Sequence, residues 1–406
     1  MLCGRWRRDR DGGLRADPKT SFPNQAAQSG GYMTRIAVAS PAILPGDAVG
    51  RDVLHMGRIL REQGHEVELF CTTWGKPQPR NERDLHIRDF LADDPSALLI
   101  LHHAIGWPHA VPVIAAAKCR RVVKYHNVTP ARFYEGLDPE YADLCRRGRE
   151  QLRTLIAHNC DLYIADSPFN RNDLLELGAD PRRCTVIPPF NDLENLLHLG
   201  PDPEVLQDYS DGCTNLLFVG RRAPNKGHRF LLDAFAVYRQ HHNANSRLVL
   251  IGRGEPKQEK YTQSLREQVS RLGLQGHVIF VDSVSQAELK AFYQCAAVFV
   301  LASEYEGFCV PLVEAMALRV PIVAYGAAAV PHTVGDAGLI WDKPDPFVLA
   351  QSIATVVSDA AVRRQLTERG WRRYRELFTN QRLQREFLHA LHPFLAPALG
   401  SARRTA

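Results

Sequence analysis

Short apolar runs alternate with longer amphipathic stretches along most of the chain. Residues 35–40 (R-I-A-V-A-S), 65–71, 97–103, 121–126 (R-V-V-K-Y-H), 161–166 (D-L-Y-I-A-D) and 184–187 have the composition of buried strands. Between them, residues 51–63, 139–158 and 168–177 carry apolar positions at helical spacing, with Gly64 and Gly178 where helices stop. The rhythm breaks over 191–212, where Pro201, Pro203 and Gly212 interrupt any period, and then restarts. Strands are expected at 215–219, 248–252, 278–281, 297–301, 320–325 and 338–341, with helices at 228–241, 286–294, 345–357, 360–376 and about 380–392. Strand–helix alternation of this kind predicts parallel, doubly wound sheets. Two such rounds in 406 residues predict two α/β domains.

The most informative stretch is 303–317, S-E-Y-E-G-F-C-V-P-L-V-E-A-M-A. A buried strand runs into it, Glu304, Glu306 and Gly307 break the apolar pattern, and Pro311 stands in the first turn of the following helix. A helix start has unpaired N–H groups and a partial positive charge, so an anion such as phosphate is its natural ligand. Glu306 and Glu314 flank this point. Earlier in the same half, the strand at 215–219 feeds G-R-R-A-P-N-K-G, which places Arg221 and Lys226 in a turn before a helix. Taken alone, these are a dipole-stabilising glutamate, a solvated glutamate and two solvated cations. In the first half, Gly46, Asp47 and Gly50 follow the first strand, where doubly wound sheets bind ligands. His126 ends a strand, as do His102 and His103, which read as structural or as backing the site from behind.

The E-x7-E spacing, the following V-P-I-V-A-Y and the upstream V-G-R-x-x-x-x-K-G pattern resemble family-4 retaining glycosyltransferases, which have the GT-B fold. The resemblance is detailed in the second half and looser in the first, covering roughly 34–392. It implies two doubly wound Rossmann-like domains facing a cleft: an acceptor-side domain over 33–200, a linker at 201–212 and a nucleotide-sugar domain over 213–378. A helix at 379–395 is then expected to cross back to the first domain, and 1–32 to form a disordered tail. The resemblance also implies roles. Glu306 and the backbone of Gly307, Phe308 and Cys309 would meet the donor sugar, with Pro311 and Leu312 at the helix start and Gly252 in the donor site. Glu314 would bind ribose hydroxyls. Arg221 and Lys226 would stabilise charge growing on the β-phosphate, and His126 would face the transferring sugar. Gly46, Asp47 and Gly50 would lie near acceptor or phosphate. Cys309 departs from the family, which often has glycine there. The implied reaction is hexosyl transfer from a nucleotide diphosphate sugar, as co-substrate, to a saccharide or lipid-linked acceptor, without a metal or other cofactor.

Composition narrows this further. The net charge of +5 is uneven: residues 1–33 carry +3 and 363–406 carry +7, leaving the body at −5. An acidic body excludes a nucleic-acid surface spread over the fold. The basic C-terminal stretch suits peripheral contact with anionic headgroups. Nine scattered cysteines without C-x-x-C fit a reducing compartment. The expectation is therefore a cytoplasmic protein, with the inner face of the membrane as its place of contact. Met33, directly before the first strand, is a second candidate start. Three rivals remain at this level: a silent nucleotide-sugar binder, a nicotinamide-dependent oxidoreductase and a glycosidase using Glu306 and Glu314. The absence of G-x-G-x-x-G after the first strand disfavours the oxidoreductase, and paired cations disfavour the glycosidase.

Overall fold

The computed structural model of the chain describes residues 6–8, 14–16, 33–44, 46–75 and 87–395. It divides into two compact units, Met1–Met33 and Thr34–Ala406. In the first, β1 (Trp6–Arg8) pairs antiparallel with β2 (Leu14–Ala16). Those strands correct the expectation of an unstructured tail at their positions; the rest of 1–32 lies outside the described residues.

The second unit holds two parallel six-stranded sheets. The first contains β3 (Arg35–Ile43), β4 (Glu66–Trp74), β5 (Leu98–His103), β6 (Arg120–Tyr125), β7 (Leu162–Ala165) and β8 (Cys184–Val186), in the order β4-β3-β5-β6-β7-β8. The second contains β9 (Thr214–Val219), β10 (Ser246–Ile251), β11 (Val278–Val281), β12 (Ala296–Leu301), β13 (Ile322–Tyr325) and β14 (Gly338–Trp341), in the order β11-β10-β9-β12-β13-β14. Each order reverses once, beside β3 in the first sheet and beside β9 in the second. Ligands of open α/β sheets bind beyond the strand carboxyl ends at such points.

Helices cover both faces of each sheet, so the strands are apolar on both sides rather than alternating. In β5, Leu99 and Leu101 join one core and Leu98 and Ile100 the other. Local chemistry sets the helix starts. Asp138, Ser167 and Ser285 cap the helices Pro139–Ala157, Pro168–Glu176 and Gln286–Cys295, the last with a full capping box.

Within the expected linker at 201–212, Pro203–Tyr209 is a helix; before it, Leu193–His198 is another, whose Leu193 and Leu196 pack into the core of the second sheet. These helices are too short to show a period, which is why the pattern looked like a connection. The helix Asn380–Leu395 returns to the first domain, where Leu383, Phe387 and Leu391 pack with Ile36, Val38 and Ile100. At the two crossings, Asn380 Nδ2 donates to the Asn191 carbonyl at 2.6 Å and Asn191 N–H donates back to Asn380 Oδ1 at 3.2 Å. Among the described residues, no helix is long and apolar enough to cross a membrane.

Candidate active site between the two sheets

The loops after β9 and β12 meet at the switch point of the second sheet. Gly227 makes the meeting possible: its φ is +67°, and a Cβ there would lie 1.9 Å from the Ala302 carbonyl oxygen. Glu304 N–H donates to the Asn225 carbonyl at 2.9 Å, which fixes the two loops together. Lys226 and Glu306 then face one another. The Lys226 ammonium lies 2.8 and 2.9 Å from the two Glu306 carboxylate oxygens. The Glu306 side chain is 7% exposed and that of Lys226 is 19% exposed. A buried carboxylate with a slightly wetter cation beside it is a stable arrangement that a second anion can enter.

The acidic loop continues into the helix Val310–Ala317 with Pro311 in its first turn. Cys309 is the residue before it, at φ +73°. This is the left-handed region that glycine prefers, so the cysteine holds a backbone shape with a strain cost. The carbonyls of this loop are held: Thr333 Oγ1 donates to Phe308 O at 2.7 Å and Ala329 N–H to Glu306 O at 3.2 Å. The amides of Gly307, Phe308 and Cys309 donate to no group among the described residues. Leu312 is fully buried, and its amide bonds the Cys309 carbonyl at 3.1 Å. Leu312 is therefore core, not a ligand contact. One turn on, Glu314 is 7% exposed and accepts from the Tyr293 hydroxyl at 2.8 Å. Burial pushes the Glu314 carboxyl above its usual range, with the Tyr293 bond pulling the other way.

Arg221 stands at the rim, 3.4 Å from Glu255, with Tyr141 of the first domain as a further partner. Gly252 has a backbone role that the sequence did not suggest. At φ +145°, a Cβ there would fall 2.0 Å from the Gly220 carbonyl oxygen, so its lack of a side chain lets β9 and β10 end side by side. The neighbouring Arg222, missed in the sequence, donates from Nη1 to the Gly252 carbonyl at 2.7 Å and pairs with Asp282.

Across the cleft, the first sheet ends in a buried charge cluster. Lys124 lies 2.7 Å from Asp166 and 4.0 Å from Asp52, and donates to the Ile187 carbonyl at 2.5 Å. His126 Nδ1 lies 2.9 Å from Asp166 Oδ2, and His126 Nε2 lies 2.8 Å from His102 Nδ1. Both ring nitrogens of His126 are therefore engaged, and neither is open to the cleft. This corrects the expectation that His126 faces a sugar: it presents its carbonyl, which lies 2.9 Å from a Cβ built on Gly307. Burial pushes Asp52 up, against Lys124 and His126; burial acts on Asp166 too, but there His126 and Lys124 win and hold it low. Burial, with His126 and Lys124, drives His102 far down.

Asp52, His102 and His126 are near enough to share a cation. The rings, however, lie end to end, with centroids 5.0 Å apart and planes 19° apart, so each nitrogen is directed at the other ring. Lys124 already supplies a positive charge between the carboxylates, so the arrangement is an interlocked core cluster of ion pairs and hydrogen bonds. The sequence signal for it was a lysine inside a buried strand, which must find an acid.

The loop after β3 has a local structural role. Asp47 is the N-cap of the helix Ala48–Glu62, accepting from Gly50 N–H at 3.1 Å. Gly50 is packed, since a Cβ there would meet Leu44 backbone at 2.7 Å; Gly46, at φ +79°, has open space around it. Elsewhere between the domains, a cavity of about 660 Å³ is lined by Asp166, Pro188, Phe308, Thr333, Arg373 and Phe378 among others.

Comparison with known proteins agrees with this architecture. Residues 211–373 match the model for glycosyl transferases group 1, and residues 49–195 that for Glycosyltransferase Family 4. The chain is 30% identical over 254 residues to mannosylfructose-phosphate synthase of Agrobacterium fabrum, covering 59% of this chain and 56% of that protein. It is 29% identical over 213 residues to O-antigen chain mannosyltransferase B of Escherichia coli, covering 52% and 55%. The chain thus spans about half the length of these relatives. Among solved structures, Anabaena HepE in complex with UDP and glucose superposes with a TM-score of 0.65 at 19% identity, covering 89% of this chain and 100% of that one. The α,α-trehalose 6-phosphate synthase of Burkholderia multivorans gives 0.68 at 15%, covering 89% and 99%. With both halves matched in order on two facing parallel sheets, the chain belongs to the group 1, family-4 glycosyltransferases of GT-B fold.

Proposed function

We propose that the chain transfers a hexosyl group from a nucleotide diphosphate sugar to a hydroxyl of a saccharide or lipid-linked acceptor. The anomeric configuration is retained, no metal or other cofactor takes part, and the setting is cell-surface polysaccharide or glycolipid synthesis in the cytoplasm, at the inner face of the membrane. The observation that carries this reading is the Lys226–Glu306 pair beside the unbonded amides of Gly307, Phe308 and Cys309. A diphosphate entering there meets Lys226, Arg221 and a helix start; its sugar meets Glu306 and its ribose Glu314. As the C1–oxygen bond breaks, its electrons move to the β-phosphate oxygen. Fixed cations then stabilise charge that the ground state lacks. A relative named as a mannosyltransferase and a structural neighbour solved with UDP and glucose support a nucleotide-sugar donor.

The test is turnover of a panel of UDP- and GDP-sugars with and without EDTA, with the product anomer read by NMR. Loss in EDTA restored by Mg²⁺ overturns metal independence; an inverted anomer overturns retention. Within that assay the two glutamates should separate. Glu314→Gln should mainly raise KM and weaken free nucleoside diphosphate. Glu306→Gln should mainly lower kcat and leave nucleoside diphosphate binding nearly unchanged, because that ligand has no sugar to lose. Each effect should be roughly ten- to a hundredfold, the worth of a charge-assisted hydrogen bond. Parental behaviour in both variants refutes the assignment.

A further inference from the structure

The residues immediately before Lys226 and Glu306 both reach into the first domain. Asn225 Oδ1 accepts from the Tyr134 hydroxyl at 3.2 Å, and Asn225 Nδ2 donates to the Tyr305 carbonyl at 3.0 Å. The Tyr305 hydroxyl donates to Asn127 Oδ1 at 3.2 Å. Its ring stands edge-on to Phe169 at 5.7 Å and tilted to Phe133 at 6.3 Å. On the other side of Glu306, Gly307 backs onto the first domain so closely that a Cβ would lie 2.6 Å from Asn127 Cβ. Glu306 is thus held between two residues that both take their position from Asn127.

Asn127 is itself anchored. It sits at φ +80°, with the Tyr125 hydroxyl oxygen 3.4 Å from its Oδ1. Tyr125 in turn donates to Asp173 at 2.7 Å, and Asp173 is paired with Arg149, 3.0 Å from Nη2 to Oδ1. A residue needed only for packing would not have to place its hydroxyl on the same first-domain side chain that abuts Gly307.

We propose that Tyr305 is a positioning residue: the chain Tyr134–Asn225–Tyr305–Asn127 sets the Lys226–Glu306 pair in its working geometry only while the two domains are closed on each other. This rests on the reading of that pair as the transfer site. Its consequence is that donor activation depends on the acceptor-side domain being in place, so a donor bound to an open cleft is not wasted on water. Burial and the Asp173 carboxylate push the Tyr305 hydroxyl up to about 12, so it remains a donor at every working pH.

The experiment uses the full chain and Tyr305→Phe, which keeps the ring and removes the hydroxyl. It also uses Asn127→Gly, which removes Oδ1 and tolerates the positive φ. Each single variant should lower kcat about three- to tenfold, the worth of one neutral hydrogen bond. UDP and GDP affinity should stay within about twofold and Tm should be unchanged. The double variant should be no worse than either single one, because both remove the same bond. Parental kcat in Tyr305→Phe, or fully additive losses, overturns the proposal; so does a kcat loss matched by equal loss of nucleotide affinity and Tm. A second arm needs no activity: in small-angle scattering with UDP, Tyr305→Ala should be more open than the parent, and identical profiles refute the closure role. If the parent turns over no nucleotide sugar, the transfer reading fails, and the scattering arm still judges the contact.

Discussion

The two faces of the cleft are built on opposite plans. The first-domain face gathers Asp52, His102, Lys124, His126 and Asp166, all buried and bonded chiefly to one another. The second-domain face has the Lys226–Glu306 pair, Arg221 half-exposed at the rim beside Glu255 and a run of amides at a helix start with no partner among the described residues. Ionisable groups that satisfy each other make a rigid wall, whereas groups left partly wet can exchange partners with a ligand. Charge at a strand's carboxyl end is therefore not by itself a sign of catalysis. What matters is whether its partners are already inside the protein.

If that contrast holds, substitutions on the two faces should show in different measurements. The largest effect is expected from Lys124→Met, which leaves two buried carboxylates without their cation. It should cost about 3–5 kcal/mol of stability, read from the denaturant midpoint, with nucleoside diphosphate affinity kept in the folded fraction. A parental midpoint would show that Lys124 is not needed to hold the two carboxylates. Lys226→Ala should act mainly on activity. Turnover should fall about 10²- to 10³-fold, as for removal of one preorganised donor, while the midpoint falls less than in Lys124→Met, because one buried carboxylate rather than two loses its cation. A stability loss as large as that of Lys124→Met would erase the distinction.

The smallest effect comes from pH, and it compares one histidine from each domain. Burial holds His103 at about 4 against its bond to the Gly148 carbonyl, and burial with Lys226 and Arg222 holds His228 at about 3. Both are depressed below 6.5, so the unfolded chain takes up protons that the folded one refuses. Their contribution is full above pH 6.5 and is lost as pH falls from there toward 4. Between pH 7 and 5 each should cost about 2 kcal/mol. His103→Gln keeps a donor for Gly148 and should remove its share, so the variant should lose about 2 kcal/mol less than the parent over that interval. Equal losses would mean that His103 titrates normally.

The sequence by itself determined the alternation of strand and helix, its two rounds and the Glu306–Glu314 stretch. Each is local: apolar period, capping residue and E-x7-E spacing all act within some fifteen residues, where backbone geometry alone relates one side chain to the next. It also singled out Arg221 and Lys226 as cations in one turn. Only the tertiary structure decided which groups meet. Lys226 faces Glu306 across 80 residues because Gly227 lets two loops touch. His126, read from the resemblance as facing the sugar, is turned inward because Asp166 and His102, from neighbouring strands, take both its nitrogens. Asp47 became a helix cap and Gly252 a point of backbone contact for the same reason. A side chain's partners are set by which strand ends lie side by side, and strand order is a property of the folded sheet rather than of any window of sequence.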